Sequence, residues 1–195
     1  MLAYVFWHRP RDGFAVEEYE QAAVAFHRSL ARMPPVGTRA TAAYRVPEVP
    51  WLEGSGYEDW YVLDDFAALG VLNEAAVGRG HRTPHDRVAR HYRAGAGGLY
   101  ALLEGDAPCP AGTPGEAAPA TWVARPPGST ERALGDLLGD GMDPERASLW
   151  RRLLVLGPAP EYCLIAPEAS RGVAATRLPA GWTAQTLARE ILFTG

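Results

Sequence analysis

All five histidines of the chain (His8, His27, His81, His85 and His91) lie within its first 91 residues. A neutral imidazole exchanges a proton near neutral pH, so this clustering points to the N-terminal half as the seat of any acid–base chemistry. His8 falls on the same face of an N-terminal strand as Tyr4 and Phe6, and His27 flanks the apolar stripe of the first helix. If that strand face packs on that helix, the two histidines approach each other at one end of the core. There they could act as general base or substrate orienter, or simply as hydrogen-bonded histidines at a core edge. Tyr4, Phe6 and Trp60 are the aromatic side chains expected to line an apolar pocket beside them.

His81 and His85 are the weak candidates for metal ligands, with Asp86 and Glu58 near enough in type to join them. A spacing of four puts two ligands on one helix face. Pro84, however, suits the first helical position and leaves His81 outside the helix, so no metal is expected. Every one of the 19 basic residues is Arg, which excludes a Schiff-base lysine and a phosphate-loop lysine. Ser29, Ser55, Ser129, Ser148 and Ser170 all lie outside any Gly-x-Ser-x-Gly elbow. Gly95-Ala-Gly-Gly98 stands between a helix and a strand, the reverse of the order that cradles phosphate, and reads as a hinge or helix stop. Cys109 and Cys163 make neither a disulfide framework nor a zinc site.

Charge adds further exclusions. Residues 1–105 carry 11 Arg against 13 acidic residues, and residues 106–195 carry 8 against 10, so no basic arm exists and nucleic acid is not an expected partner. No run approaches the roughly 20 apolar residues that span a bilayer, so no membrane partner is expected either. The N-terminus enters a strand-like pattern without a basic or apolar leader, and a cytoplasmic location is the expectation.

The elements that must position these residues can be read from periodicity. Leu2–Arg9 is a strand, apolar on both faces, which requires something to cover the sheet on each side. Val16, Tyr19, Ala23, Phe26, Leu30 and Met33 mark one stripe of a helix that Pro34-Pro35 stops. Strands follow at Thr38–Val46 and Tyr57–Leu63, separated by a Pro/Gly-rich loop. A helix from Phe66 to about Val77, capped by Asp64 or Asp65, shows Phe66, Leu69, Asn73 and Ala76 on one side. A further helix ends near Arg93, and Leu99–Leu103 is a fourth strand. Residues 106–119 read as a Gly/Pro-rich linker. Beyond it lie a strand at Thr121–Arg125, a short helix from Ser129 to Leu138 and a hairpin of Ser148–Leu156 with Tyr162–Ala166 around Gly157-Pro158, the first of these two segments being equally compatible with a helix by its period. A strand at Gly172–Leu178 and a last helix from Thr183 to about Leu192 complete the order.

The run Tyr4-Val-Phe-Trp-His-Arg-Pro10, with Glu17, Glu18, Tyr19, His27 and Leu30 on the following helix, resembles the opening of the dimeric α+β barrel proteins, most closely the EthD-like branch. The resemblance covers about the first 75 residues. It implies a β-α-β-β-α-β, ferredoxin-like half (residues 1–105) completed by a second, shorter half (residues 120–195) of the same chain, together a pseudo-dimeric α+β barrel. That superfamily includes cofactor-independent monooxygenases, isomerase-like enzymes and haem-handling proteins. The expectation is a small-molecule binder or cofactor-independent enzyme with its pocket in the first half. No cofactor is expected, haem being the weaker alternative. A non-catalytic barrel is the rival reading, and self-association stays open.

Overall fold

The computed structural model describes residues 1–78, 80–106, 112–129, 147–155, 159–166 and 178–195. The expected helix over Ser129–Leu138 beyond its first residue, the turn at Gly157-Pro158, most of the strand over Gly172–Leu178 and Cys109 lie outside them.

The first half follows the predicted order. Strand β1 (Leu2–Pro10) leads to helix α1 (Val16–Arg32), strands β2 (Thr38–Val49) and β3 (Gly54–Leu63), helices α2 (Phe66–Gly78) and α3 (Arg82–Ala89), and strand β4 (Tyr92–Glu104). The Pro/Gly loop between β2 and β3 is a tight connection through a 3-10 turn, Pro50–Leu52, closed by Glu53 in the left-handed region. Asp65 caps α2 by accepting the Ala68 amide (2.9 Å).

Gly95–Gly98 is not a hinge but part of β4. A Cβ at Gly95 would meet the Phe6 ring at 2.7 Å, and one at Gly97 would meet the Tyr4 hydroxyl at 3.0 Å. Gly95 and Gly97 are therefore where the Phe6 and Tyr4 rings of β1 cross positions of β4 that carry no side chain.

The second half contributes β5 (Ala120–Ala124), β6 (Ser148–Val155), β7 (Tyr162–Ile165), β8 (Thr183–Leu187) and β9 (Glu190–Thr194). The helix expected from Thr183 is absent; β8 pairs with β5 and β9 with β2. Its apolar residues satisfy a helical period, but the backbone bonds offered by two sheet edges override that weak local preference.

All named strand pairs are antiparallel in one sheet, in the order β8-β5-β7-β6-β4-β1-β3-β2-β9. The arrangement β4-β1-β3-β2 recurs as β8-β5-β7-β6. Part of the segment read as a linker is bonded to the sheet: Gly115 and Ala118 amides donate to Ile191 and Arg189 carbonyls, and the Ile191 amide donates to Glu116. That segment runs on into β5, so it ties the β9 edge back to the other end of the sheet and closes a barrel.

Both faces of β1 are covered, as its composition requires. Ala3, Val5 and Trp7 point into the barrel with Trp60 of β3 and Trp122, Trp150 and Cys163 of the second half. Leu2 and Tyr4 face outward against α1 and α2, packing with Phe26, Leu30, Tyr61 and Leu72. Among the described residues no helix is long and apolar enough to cross a membrane.

Candidate functional site

Two adjacent acids of β3 divide between these faces, because successive strand side chains point opposite ways. Glu58 enters the barrel, where it pairs with Arg189 and accepts the indole N–H groups of Trp7 (2.8 Å) and Trp60 (2.7 Å). Asp59 faces the helices, opposite Phe6 in the β1–β3 register.

Around Asp59 the structure gathers both histidines singled out from the sequence. Asp59 Oδ2 lies 3.0 Å from His8 Nε2 and accepts the Tyr61 hydroxyl at 3.2 Å. His27 Nε2 sits 3.2 Å from Oδ1, an ion-pair distance without hydrogen-bond alignment. Burial by itself would raise the Asp59 carboxyl, but the two imidazoles, His27 and His8, outweigh it and hold the group well below the usual carboxylate range. An ionised Asp59 can only accept, so His8 donates from Nε2. In the neutral ring Nδ1 then accepts the Tyr19 hydroxyl at 2.6 Å. Both nitrogens of His8 are thereby committed to the protein. His27 is fully buried, bonded through Nδ1 to the Thr41 hydroxyl and stacked on Tyr61 at 5.1 Å. These two histidines meet, but as a strut joining β1, β3, α1 and β2.

Beside the strut is a cavity of about 750 Å³ between the sheet and the three helices. Its sheet wall is an aromatic ladder: Tyr4, Phe6 and His8 lie 6.2 and 5.3 Å apart with planes within about 21° of parallel, and Tyr61 is 5.9 Å from Tyr4. The helix wall is aliphatic, with Leu69, Leu72, Ala76 and Val77 from α2 and Val88 from α3. The α2 face read from the sequence, Phe66, Leu69, Asn73 and Ala76, is the one that borders this cavity. Exposed Phe66, Val77 and Tyr92 mark its mouth. Of the pocket residues expected from sequence, Tyr4 and Phe6 line it. Trp60 lies on the opposite face of the sheet, inside the barrel, because it is one residue out of phase with Asp59 and Tyr61.

His81 and His85 separate. His81 is buried, with Nδ1 2.7 Å from the Ser29 hydroxyl and Nε2 3.1 Å from the Met33 carbonyl, and so anchors the start of α3 to the end of α1. His85 is one turn further on, lines the cavity and bonds Asp86. Among the described residues no group of three or more His, Cys, Asp or Glu side chains could hold a metal ion. Sequence reasoning overlooked Asp59, Tyr19 and Tyr61; the available signal was a pair of acids inside the otherwise apolar strand Tyr57–Leu63.

No family model matches the sequence, and neither does any curated protein. Solved structures do match. A candidate monooxygenase of Fusobacterium nucleatum subsp. nucleatum superposes with a TM-score of 0.68 at 7% identity, covering 99% of this chain and 93% of its own. An anthrone oxidase-like protein gives 0.56 at 10% identity, covering 100% and 92%. A candidate chlorite dismutase gives 0.56 at 11% identity, covering 98% and 95%. This is the dimeric α+β barrel fold. Within that barrel, the cavity described above lies outside the strand-lined interior, between sheet and helices. A fold shared at such identities hosts several chemistries, so any activity has to be argued from the cavity itself.

Proposed function

We propose that this chain is an enzyme for a small, largely apolar aromatic molecule, working without a resident cofactor on a proton of its substrate. One observation carries the reading: a cavity large enough for a drug-sized molecule, walled by an aromatic ladder on one side and aliphatic helix residues on the other. Polar groups within it are few. The Tyr4 hydroxyl makes no hydrogen bond among the described residues, and Asn73 and His85 stand on the helix wall. Such a site binds by burying rings and orients by one or two polar contacts. The similarity in fold to an anthrone oxidase-like protein and to candidate monooxygenases supports a substrate of this kind. The placement of the first half in the EthD-like branch belongs to the same proposal, supported by Tyr19, His27 and Leu30 sharing the buried face of α1.

Anthrone, a flat tricyclic ketone, is a suitable probe. Quenching of intrinsic fluorescence should report saturable binding to the parent protein, and Asn73→Trp, which fills the mouth from an exposed helix position, should weaken it at least about tenfold. Absence of saturable binding by anthrone, with Asn73→Trp behaving as the parent, would remove the cavity from consideration and favour a non-catalytic barrel.

A further inference from the structure

His8 and His27 are the two histidines that the sequence marks as candidate bases, yet neither nitrogen of His8 is available. Nε2 serves Asp59 and Nδ1 serves Tyr19, and the residue is only 2% exposed. His27 does not border the cavity. His81 has both nitrogens engaged by Ser29 and the Met33 carbonyl. His85 differs in each respect. It lines the cavity, its side chain retains 29% exposure, and its Nδ1 lies 3.3 Å from Asp86 Oδ1 while Nε2 carries no partner among the described residues.

The surroundings fix the ring further. Phe26 of α1 meets the imidazole edge to face at 5.5 Å. The His85 amide is bonded to the His81 carbonyl, and so to the residue that anchors α3. Asp86 is itself restrained by Arg82, 3.4 Å away and one helical turn earlier. Its carboxyl is held below the ordinary value, first by the hydrogen bond from His85 and then by Arg82. Asp86 is therefore an anion that accepts from Nδ1–H. That tautomer leaves the Nε2 lone pair as the unspent base of the cavity.

We infer that His85 is the general base of this site and Asp86 its positioning residue, an assignment that rests on the proposed small-molecule function. In the step, Nε2 removes a proton from an acidic C–H or O–H of the bound molecule. The X–H bond breaks, an N–H bond forms, and the electron pair stays on the substrate as an enolate or phenolate. The resulting imidazolium is stabilised by Asp86. Returning the proton to the same or another atom completes an exchange or a tautomerisation, with no oxidant required. The nucleophile–base–orienter logic of catalytic triads is thus met here by a base and an orienter from neighbouring positions of one helix.

The test uses anthrone, whose methylene protons are acidic, under anaerobic conditions in D₂O with proton NMR. The parent protein should accelerate exchange of those protons. His85→Gln should lower the rate by about 100-fold or more, the range of general-base catalysis, while still binding anthrone saturably. Asp86→Asn, outside the cavity lining, should lose a smaller share of the rate at unchanged affinity. Nitrogen NMR of the free protein should find His85 protonated at Nδ1 and bare at Nε2. Binding without accelerated exchange, undiminished exchange in His85→Gln, or the opposite tautomer would each overturn the assignment and leave the binding reading standing. Failure to bind anthrone would overturn both.

Discussion

Replacing Glu58 by Gln tests whether the barrel interior is organised around one charge pair. Glu58 and Arg189 side chains are both 0% exposed. The carboxylate accepts two indoles and the guanidinium, and Arg189 also lies 4.2 Å over the Tyr44 ring while donating to the Ala118 carbonyl. Gln keeps the shape but removes the charge. Its amide must turn N–H groups toward either the Trp7 indole or the Trp60 and Arg189 donors, so one donor is left facing another. Breaking a buried pair from one side costs about 3–5 kcal/mol, because the surviving ion is stranded. For a chain of this size each kcal/mol moves the thermal midpoint by about 2–4 °C, so a fall on the order of 6–20 °C is expected. Circular dichroism during heating and urea titration would measure it. The double variant Glu58→Leu with Arg189→Met removes both ions and should recover most of the loss. A single-variant cost below about 1 kcal/mol, or a double variant as damaged as the two singles added, would refute the reasoning.

Two further outcomes follow from the sheet and the strut. Asp59 titrates below its ordinary value of 3.8 in the folded chain, so its contribution is complete above that pH and drains away as the pH falls toward the folded value. Urea midpoints measured from pH 5 downward should therefore drop more steeply for the parent than for Asp59→Asn, and parallel curves would contradict the strut. Gly95→Ala would put a methyl group 2.7 Å from the Phe6 ring and 3.0 Å from the Trp7 carbonyl. A loss of about 1–3 kcal/mol in stability is expected, with weaker anthrone binding as Phe6 leaves the ladder, and an unaffected variant would show that the ladder tolerates displacement.

Several features were legible in residue order because they depend on local periodicity. The α1 stripe from Tyr19 to Leu30, the stop at Pro34-Pro35 and the β-α-β-β-α-β order all follow from local spacing, although Val16 and Met33 at the ends of the expected stripe are exposed. The two-sided apolarity of β1 also required that both faces be covered, which the helices and the second half of the barrel do. Where a segment's state depended on a distant partner, spacing misled. Thr183–Leu192 has apolar residues at helical intervals, yet two sheet edges claim it. Gly95–Gly98 resembles a breaker only until the rings of β1 are laid across it.

The candidate site divides along the same line. Residue types alone placed every histidine in the first half, and strand alternation put Tyr4 and Phe6 on one face with His8. Only the tertiary structure decided which imidazole turns a nitrogen without a partner among the described residues toward the cavity. Hydrogen-bond capacity is spent on whatever polar groups arrive from other elements: Tyr19 from α1 and Asp59 from β3 for His8, Ser29 and the Met33 carbonyl for His81. Among the described residues His85 has one polar side-chain partner, its own chain neighbour, so one nitrogen stays free and the rest of its ring meets Phe26 and the cavity.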